Sequence, residues 1–256
     1  MNVIASIDID SNTDTAADNE LWYKDAIVYQ LHVKAFADSN NDGIGDFAGL
    51  TEKLDYLQDL GVTTLWLLPF YPSPQRDDGY DIADYGAINP DFGTMKDFRR
   101  FITEAKRRGL RVITELVVNH TSDQHAWFVE SRQSRDNPKA DWYVWADAKD
   151  DGNPPNNWLS IFGGSAWQWD TRRRQYYLHN FLASQPDLNF HNPEVQDALV
   201  SLLSDRRTSV PELGSAVAAR KGFWPVSSSY NTTPRLNTSL RPSTRCASPR
   251  ACSGLM

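Results

Sequence analysis

Apolar residues along this chain fall into short continuous runs or into runs with helical spacing, and the two kinds alternate. The continuous runs cover residues 27–33, 62–68 and 111–120 and are rich in β-branched or aromatic residues. Such runs are typical of strands, and the third, RVITELVVNH, has the character of a strand buried on both faces of a parallel sheet. The pattern therefore predicts three strands.

The runs with helical spacing lie between these strands. Leucines at positions 50, 54, 57 and 60 recur every three or four residues, and Gly61 follows as a helix stop. A second helix begins after Thr94, a capping residue with Asp97 three positions later, and ends before Gly109. Its apolar face holds Met95, Phe98, Ile102 and Ala105. Strands that alternate with helices predict a parallel sheet with right-handed crossovers.

The alternation stops after residue 120. Residues 121–190 hold six tryptophans among Gly, Pro and Asn and show no helical period. A structureless loop of that length is implausible, so we expect an inserted subdomain. A further helix over 191–203 opens at Asn192 and Pro193. The predicted units are a disordered leader (1–20), three βα units (21–120), the insert (121–190), this helix (191–203) and a tail (204–256).

Charge and composition narrow the class of partner. The net charge of −7 argues against nucleic acid as the main partner, and the 12% aromatic content favours a neutral ligand that stacks on rings, such as a sugar. No apolar run approaches the roughly 20 residues of a membrane span. Residues 1–20 contain no Lys or Arg and no apolar h-region, so we expect no secretory signal and a cytoplasmic location. The oligomeric state is not indicated.

The loop after the first strand offers oxygen atoms at alternate positions. Its ligand candidates are Asp38, Asn40, Asp42, Ile44 (through its backbone carbonyl) and Asp46, with Gly43 allowing a sharp turn. Hard cations such as Ca²⁺ are bound by six to eight oxygens, and a tight loop can supply several of them. The alternative is an Asn- and Asp-rich turn without a metal. We expect a hard cation such as Ca²⁺ to bind here.

The loops after the second and third strands carry further polar groups. Asp77 and Tyr80 flank a glycine, so a carboxylate and a ring could hold a sugar, although a turn over a core tyrosine would have the same pattern. The third strand ends in Asn119 and His120. These could equally be two polar residues at a strand end whose hydrogen bonds are made within the fold. All three loops leave the carboxyl ends of parallel strands, where α/β barrels place their chemistry. We therefore expect them to converge.

Six stretches of the sequence resemble the α-amylase family of glycoside hydrolases. They are WYKDAIVYQLHVKAF, DSNNDGIGD, DDGYDIADY, ELVVNH, NNWLSIFGGSAWQWD and QPDLNFHNPEV. They are most similar to the α-glucosidase and oligo-1,6-glucosidase branch, while the first third looks more like trehalose synthase. The resemblance spans about 21–199. It implies an α/β fold: the N-terminal part of a (β/α)8 TIM barrel, incomplete, with a subdomain inserted after the third strand.

The resemblance also implies roles for single residues. Asp77 and Tyr80 match residues that hold the non-reducing glucose, the tyrosine by stacking, and His120 matches a histidine that hydrogen-bonds a hydroxyl of the same ring. The matching pocket-wall residues from the insert are Phe162, Phe181 and Gln185. The loop 38–46 matches the structural calcium or magnesium site of the family.

The resemblance implies a retaining α-glucosidase that acts on α-linked gluco-oligosaccharides such as maltose. A retaining glycosidase needs a nucleophilic carboxylate and an acid/base carboxylate. The family places its nucleophile in an Arg-x-Asp motif after strand four, and no such motif follows residue 199 here. We therefore expect no catalytic residue in this chain. The alternatives are a trehalose synthase that transfers the glucosyl group of maltose, and a sugar-binding remnant without catalysis.

The predicted tail differs sharply in composition from the rest of the chain. Residues 201–256 hold eight basic and two acidic residues, both cysteines of the chain, and no period of 2 or 3.6. A reading-frame shift replaces every later codon at once and leaves no binary pattern. We hypothesise that residues from about Val200 onward are out-of-frame translation. Translating the same DNA in the other two frames should reveal an Arg-x-Asp motif within about 30 codons, and its absence from both frames would reject the hypothesis.

Overall fold

The computed structural model of the chain describes residues 21–209. The predicted leader, both cysteines and nearly all of the predicted tail lie outside the described residues. Within them, no helix is both long enough and apolar enough to cross a membrane.

Three parallel strands form the first sheet, as predicted. They are β1 (Val28–Leu31), β2 (Thr64–Leu67) and β3 (Arg111–Thr114), paired in the order β1-β2-β3. This alternation of parallel strands and helices confirms the predicted α/β fold class. The α/β crossover places the carboxyl ends of all three strands at the same edge of the sheet.

The strands are shorter than the sequence predicts. After β1 the chain turns at residue 32 into a one-turn helix, α1 (Val33–Phe36). The prediction that residues 111–120 form a strand buried on both faces is wrong, because β3 ends at Thr114 and all its residues are half-buried. Among the described residues β3 pairs only with β2, and the ladder between them ends at Thr114.

The single helix predicted from the leucine spacing is two helices. α2 (Phe47–Glu52) and α3 (Leu54–Asp59) are separated at Lys53, whose backbone leaves the helical region at φ −95° and ψ 4°. The leucines at 50, 54 and 57 are fully buried, but Leu60 lies past the end of α3 and is 54% exposed. Gly61 has φ +84° and ends the helix as expected.

Helix α4 (Met95–Arg107) begins with the predicted cap. Thr94 Oγ1 accepts from the backbone N–H of Asp97, and the Asp97 carboxylate accepts from the backbone N–H of Thr94. This reciprocal capping box satisfies donors that a helix N-terminus otherwise leaves unpaired. The helix packs on α2 and β3 through a buried face of Phe98, Phe101, Ile102 and Ala105.

Phe47 lies at the centre of the core between the sheet and the helices. It is fully buried, and its ring centroid is 5.3 Å from that of Phe70, 5.1 Å from that of Phe98 and 5.7 Å from that of Phe101. Edge-on and tilted aromatic contacts at these separations are favourable beyond their buried area. The loop that leaves β2 is therefore anchored in the core through Phe70.

The segment between β3 and the last helix forms a second sheet. It contains α5 (Ala126–Ser131) and the strands β4 (Trp145–Ala146), β5 (Trp167–Asp170) and β6 (Gln175–Leu178). The strands are antiparallel in the order β4-β6-β5. The sequence analysis predicts no helix here and misses α5, because six residues are too short to show a helical period. The boundaries 121–190 of the insert stay a prediction.

The last described helix, α6 (Pro193–Ser209), begins at the predicted proline. Val195 and Leu199 are buried in a cluster with residues of the second sheet, including Tyr177. The helix continues six residues beyond its predicted end at 203, so it includes the first residues of the predicted tail.

The capping box allows a direct stability test. We expect Thr94→Ala to lower the free energy of unfolding by about 1 kcal/mol, because the substitution removes the side-chain acceptor for the N–H of Asp97. Thr103→Ala, at an exposed position of the same helix, is the matched control and should have a smaller effect. Urea denaturation measures both. Equal destabilisation by the two substitutions would contradict a specific capping role.

Candidate functional site

The turn after β2 brings two predicted site residues together. Tyr80 N donates to Asp77 O at 2.9 Å, and the two residues between them have positive φ, +50° at Asp78 and +97° at Gly79. Positive φ at both central positions, with the sequence Asp-Gly, is typical of a type I′ turn. A Cβ on Gly79 would lie 3.0 Å from Pro69 O, so the position requires glycine.

A buried carboxylate holds this loop from inside. Asp81 is fully buried and accepts from Ser73 Oγ at 2.8 Å, Arg76 N at 3.0 Å and Asp77 N at 3.3 Å. Hydrogen bonds to an ionised carboxylate are stronger than neutral ones. The backbone of Asp77 is thus fixed by a side chain that the sequence did not single out.

The segment directly after β1 also contacts the turn. His32 Nε2 lies 3.1 Å from Asp78 O, so it must donate, and Lys34 Nζ, in α1, pairs with the Asp78 carboxylate. The hydrogen bond from Lys34 lowers the pKa of Asp78. The residues that follow β1 and the loop after β2 therefore meet at Asp78, whereas the convergence of the loop 38–46 itself stays a prediction.

The insert reaches the same loop through Gln185. Its Nε2 donates to Asp77 Oδ2 at 2.7 Å, and its Oε1 accepts from Leu182 N at 2.9 Å. Gln185 is fully buried, so its amide orients Asp77 instead of forming an open part of a pocket wall. This hydrogen bond joins residues 108 positions apart in the sequence.

His120 lies beneath the turn. Its Nε2 is 3.2 Å from Tyr80 O, which can only accept, so Nε2 carries the proton and Nδ1 is the acceptor. Nδ1 is buried with no hydrogen-bond partner among the described residues. Burial lowers the pKa of His120 below its ordinary value, so the ring is neutral at pH 7.

Two aromatic rings from the insert continue this surface. The centroid of Phe181 is 5.1 Å from that of His120, and the centroid of Phe162 is 6.2 Å from that of Phe181. Phe162 is 60% exposed, with exposed neighbours at Leu159 and Ile161. An apolar rim therefore stands beside the polar turn.

Tyr80 has a further partner on the chain just after β3. Its phenol donates to Glu115 Oε1 at 3.0 Å. Partial burial and this bond raise the pKa of Tyr80 to about 12. Sequence reasoning missed Glu115, although its place directly after a strand at the carboxyl edge of the sheet was a usable signal.

The strand end and the insert are held together around Asp187. His120 and Asp187 form an isolated antiparallel bridge, and Leu188 N donates to Asn119 O at 3.0 Å. The Asp187 carboxylate accepts from the backbone N–H and the side-chain amide of Asn180. Burial raises the pKa of Asp187 to about 7, against the lowering effect of these two donors.

The loop 38–46 is ordered by its own side chains. Asp38 accepts from the backbone N–H groups of Asn40, Asn41 and Gly43 at 2.7–3.0 Å, and the bond from Gly43 is the main cause of its lowered pKa. Asp46 Oδ1 caps α2 by accepting from Gly49 N at 2.7 Å. Within the described residues, no three acidic, histidine or cysteine side chains gather as a metal cluster.

The structure thus brings together all six residues predicted to hold a sugar. Direct contacts connect Asp77 with Gln185, Tyr80 with His120, His120 with Phe181, and Phe181 with Phe162, in a single series joined through the turn. The carboxylates Asp81, Glu115 and Asp187 were not predicted. The roles of the six residues toward a ligand stay predictions.

Comparison with known proteins places the chain among carbohydrate enzymes. The model of the alpha amylase catalytic domain matches residues 30–205. A protein of Rhizobium meliloti named probable alpha-glucosidase is 60% identical over 181 residues, 71% of this chain and 33% of that protein. An oligo-1,6-glucosidase of Heyndrickxia coagulans is 53% identical over 182 residues, again 33% of its length. The chain spans about a third of the length of the curated relatives it matches.

Solved structures of related enzymes are also similar to this chain. The alpha-glucosyl transfer enzyme XgtA matches with a TM-score of 0.72 and 56% identity over 73% of this chain and 35% of that chain. A mutant of MutB solved in complex with the substrate sucrose matches with a TM-score of 0.72 and 50% identity, over 75% of this chain and 34% of that chain. The likeness covers only part of each neighbour, which fits the predicted partial barrel.

The raised pKa of Asp187 predicts a distinct dependence of stability on pH. The folded state keeps a proton that the unfolded carboxyl, with a pKa of about 3.9, has lost. This contribution to stability is full below about pH 4 and is lost as pH rises to about 7. Because Asp187→Asn cannot ionise, its free energy of unfolding should rise relative to the parent across that range, by up to about 4 kcal/mol.

Urea denaturation of both proteins between pH 4.5 and 8 measures this difference. Asp150→Asn, at an exposed position, is the control for the substitution itself. Parallel curves for the Asp187→Asn variant and the parent would show that Asp187 has an ordinary pKa in the folded state.

Proposed function

The chain belongs to the alpha-amylase catalytic-domain family of glycoside hydrolases, and from that premise we propose that it forms the glucose-holding side of an α-glucosidase active site. Its relatives are named α-glucosidases and oligo-1,6-glucosidases, and one structural neighbour was solved with sucrose. The proposed ligands are α-linked gluco-oligosaccharides such as maltose. The activity is that of a retaining α-glucosidase, to which this chain contributes the binding residues.

The hydrogen bond between Gln185 and Asp77 is the observation that carries this proposal. It fixes a half-buried carboxylate next to the ring of Tyr80, with residues of the sheet on one side and of the insert on the other. A site that is fixed before the ligand arrives loses less freedom on binding. The remaining lone pairs of Asp77 would accept from sugar hydroxyls, and the face of Tyr80 would stack on the apolar face of the pyranose.

The apolar rim fits the same ligand. Phe162 and Phe181 would bound the pocket on the side of the insert. His120 is 2% exposed and its Nδ1 is buried, so the residues around it would have to move before Nδ1 could contact a sugar hydroxyl. Its neutral state suits a hydrogen bond to an uncharged sugar.

Retaining hydrolysis needs two carboxylates about 5–5.5 Å apart, one attacking the anomeric carbon and one protonating the leaving oxygen. The carboxylates around the described site are engaged otherwise: Asp77 by Gln185, Asp81 by the loop backbone and Glu115 by Tyr80. No Arg-x-Asp motif follows residue 199. We infer that this chain binds α-glucosides and does not hydrolyse them.

A second candidate is the transfer of a glucosyl group to another sugar, as in trehalose synthase. The resemblance of the first third and the structural neighbours titled trehalulose synthase and alpha-glucosyl transfer enzyme favour it. The glucose-holding residues would be the same in both reactions. Analysis of the products formed from maltose distinguishes hydrolysis, transfer and binding without turnover.

Sugar binding is the direct test. Maltose titrated into the ¹⁵N-labelled chain should shift amide resonances in the turn 77–80, and Asp77→Ala should weaken binding about tenfold or more. Loss of a hydrogen-bonded charged partner has an effect of this size. Asp150→Ala, at an exposed position away from the turn, is the matched control and should leave the affinity unchanged.

The same preparation tests turnover. Incubation with maltose should release no glucose above a buffer control. Absence of any shift at saturating maltose would reject the sugar-binding proposal, and measurable hydrolysis by sequence-verified protein would reject the inference that the chain lacks catalysis.

We further propose that the loop 38–46 binds Ca²⁺, or Mg²⁺, as a structural ion. Its donor set is oxygen only, as hard cations require: the side chains of Asp38, Asn40, Asp42 and Asp46, and the carbonyl of Ile44. Asp38 Oδ2, Asp42 Oδ1 and Asp46 Oδ1 each accept from one backbone N–H and so keep a second lone pair for a cation. The bound ion would cross-link the loop that carries β1 into α2.

Calcium should therefore raise thermal stability. Binding only to the native state stabilises by RT ln(1 + [L]/Kd), about 2.7 kcal/mol at a hundredfold excess over Kd. The melting temperature should rise in CaCl₂ and fall back in EDTA, and Asp42→Ala should abolish the difference. Asp150→Ala should keep it. Identical melting curves of the parent chain in the two conditions would reject the metal site.

A further inference from the structure

The carboxylate of Glu115 lies within the candidate site. None of the predicted sugar contacts involves it. It is the first residue after β3, so it leaves the sheet at the edge where the three loops converge. Its Oε1 accepts from the phenol of Tyr80 at 3.0 Å, across 35 positions of the sequence. This bond therefore joins the loop after β2 to the chain just beyond β3.

The backbone of Glu115 is held as well. Its carbonyl accepts from the Tyr71 phenol at 3.4 Å, and Tyr71 is buried against Phe70 at a centroid distance of 4.6 Å. The carboxylate is thus presented from a segment that the core fixes, although β3 itself has ended. A residue that orients another side chain for ligand binding needs a fixed backbone of this kind, because it must keep its own conformation when the ligand binds.

Tyr80 needs such a partner. Its backbone closes a turn with two positive-φ residues, and its ring is only partly packed against the core. Free rotation about the side-chain bonds would leave the ring face in several orientations, and ordering it on binding would cost affinity. A hydrogen bond at the far end of the ring removes that freedom beforehand.

We propose that Glu115 is a positioning residue for sugar binding, which fixes the ring of Tyr80 through its phenol so that the ring face is presented to the pyranose. The inference rests on the proposed function. Glu115 acts through Tyr80, without touching the sugar. Asp77, the other carboxylate whose charge acts on Tyr80, is held by Gln185.

A double-mutant cycle on maltose affinity tests the inference. Glu115→Ala should weaken binding about fivefold to tenfold, the size expected for one hydrogen bond. Glu115→Gln keeps an acceptor oxygen and should restore affinity to within about twofold of the parent. Tyr80→Phe should match Glu115→Ala, and the double variant should be no weaker than either single one, because both substitutions remove the same bond. Glu52→Ala, exposed on α2, is the control.

A second readout does not need the sugar. In ¹³Cζ-tyrosine NMR spectra, the resonance absent from Tyr80→Phe identifies Tyr80, whose pKa is raised to about 12 by burial and then by Glu115. Its pKa should be lower in Glu115→Gln, which loses the negative charge, and lower again in Glu115→Ala, which also loses the acceptor, while burial acts on the phenol in all three proteins. Equal phenol titrations in the three proteins would show that Glu115 does not hold the Tyr80 phenol.

The possible failures are distinguishable. Unchanged affinity in Glu115→Ala, or additive losses in the double variant, would overturn the positioning role while sugar binding stands. A parent chain that binds no maltose would overturn the proposed function, and this inference with it, even if the phenol titration moves as expected.

Discussion

Parallel pairing of β1, β2 and β3 brings the candidate site residues that follow these strands to one edge of the sheet. Because each strand runs in the same direction, the segments that carry Lys34, Asp77 and His120 all leave the sheet at that edge. An antiparallel arrangement would send alternate segments to opposite edges. The contacts of Asp78 with Lys34 and of Tyr80 with His120 follow from this single constraint.

The convergence of these segments at one edge does not by itself fix their side chains. Buried polar side chains, which act as anchors, are also required. Asp81 holds the turn after β2 from below, and Gln185 holds Asp77 from the insert. Both anchors are fully buried, and neither could be left without partners, because an unsatisfied buried polar group is costly. The same bonds that satisfy the anchors therefore also set the position of Asp77.

The sequence predicted the order and type of the main elements, because periodicity, capping residues and turn residues are local signals. Thr94 and Gly61 behave as predicted for this reason. The six candidate site residues that the structure brings together were implied by the resemblance to a known family, and their roles toward a ligand stay predictions. Strand ends were predicted too long, since a strand ends where its ladder partner ends, and that partner is remote in sequence. The helix break at Lys53 and the short α5 were missed on similar grounds. Glu115 and Asp187 acquire their roles only from contacts across the fold.

Asp81 and Asp187 show why residue type could not reveal those roles. Both are aspartates buried to within 2%, and both accept backbone hydrogen bonds. Asp81 accepts from three donors of one tight loop, whereas Asp187 has only the two donors of Asn180 against nearly complete burial, and its pKa rises to about 7. Burial disfavours the charged form of a carboxyl group, and hydrogen-bond donors favour it. At Asp187 burial outweighs the two donors, which makes this residue sensitive to pH, whereas the three donors at Asp81 tie residues 73, 76 and 77 to one side chain. Both effects come from groups that the fold brings together, so the residue type alone could not reveal them.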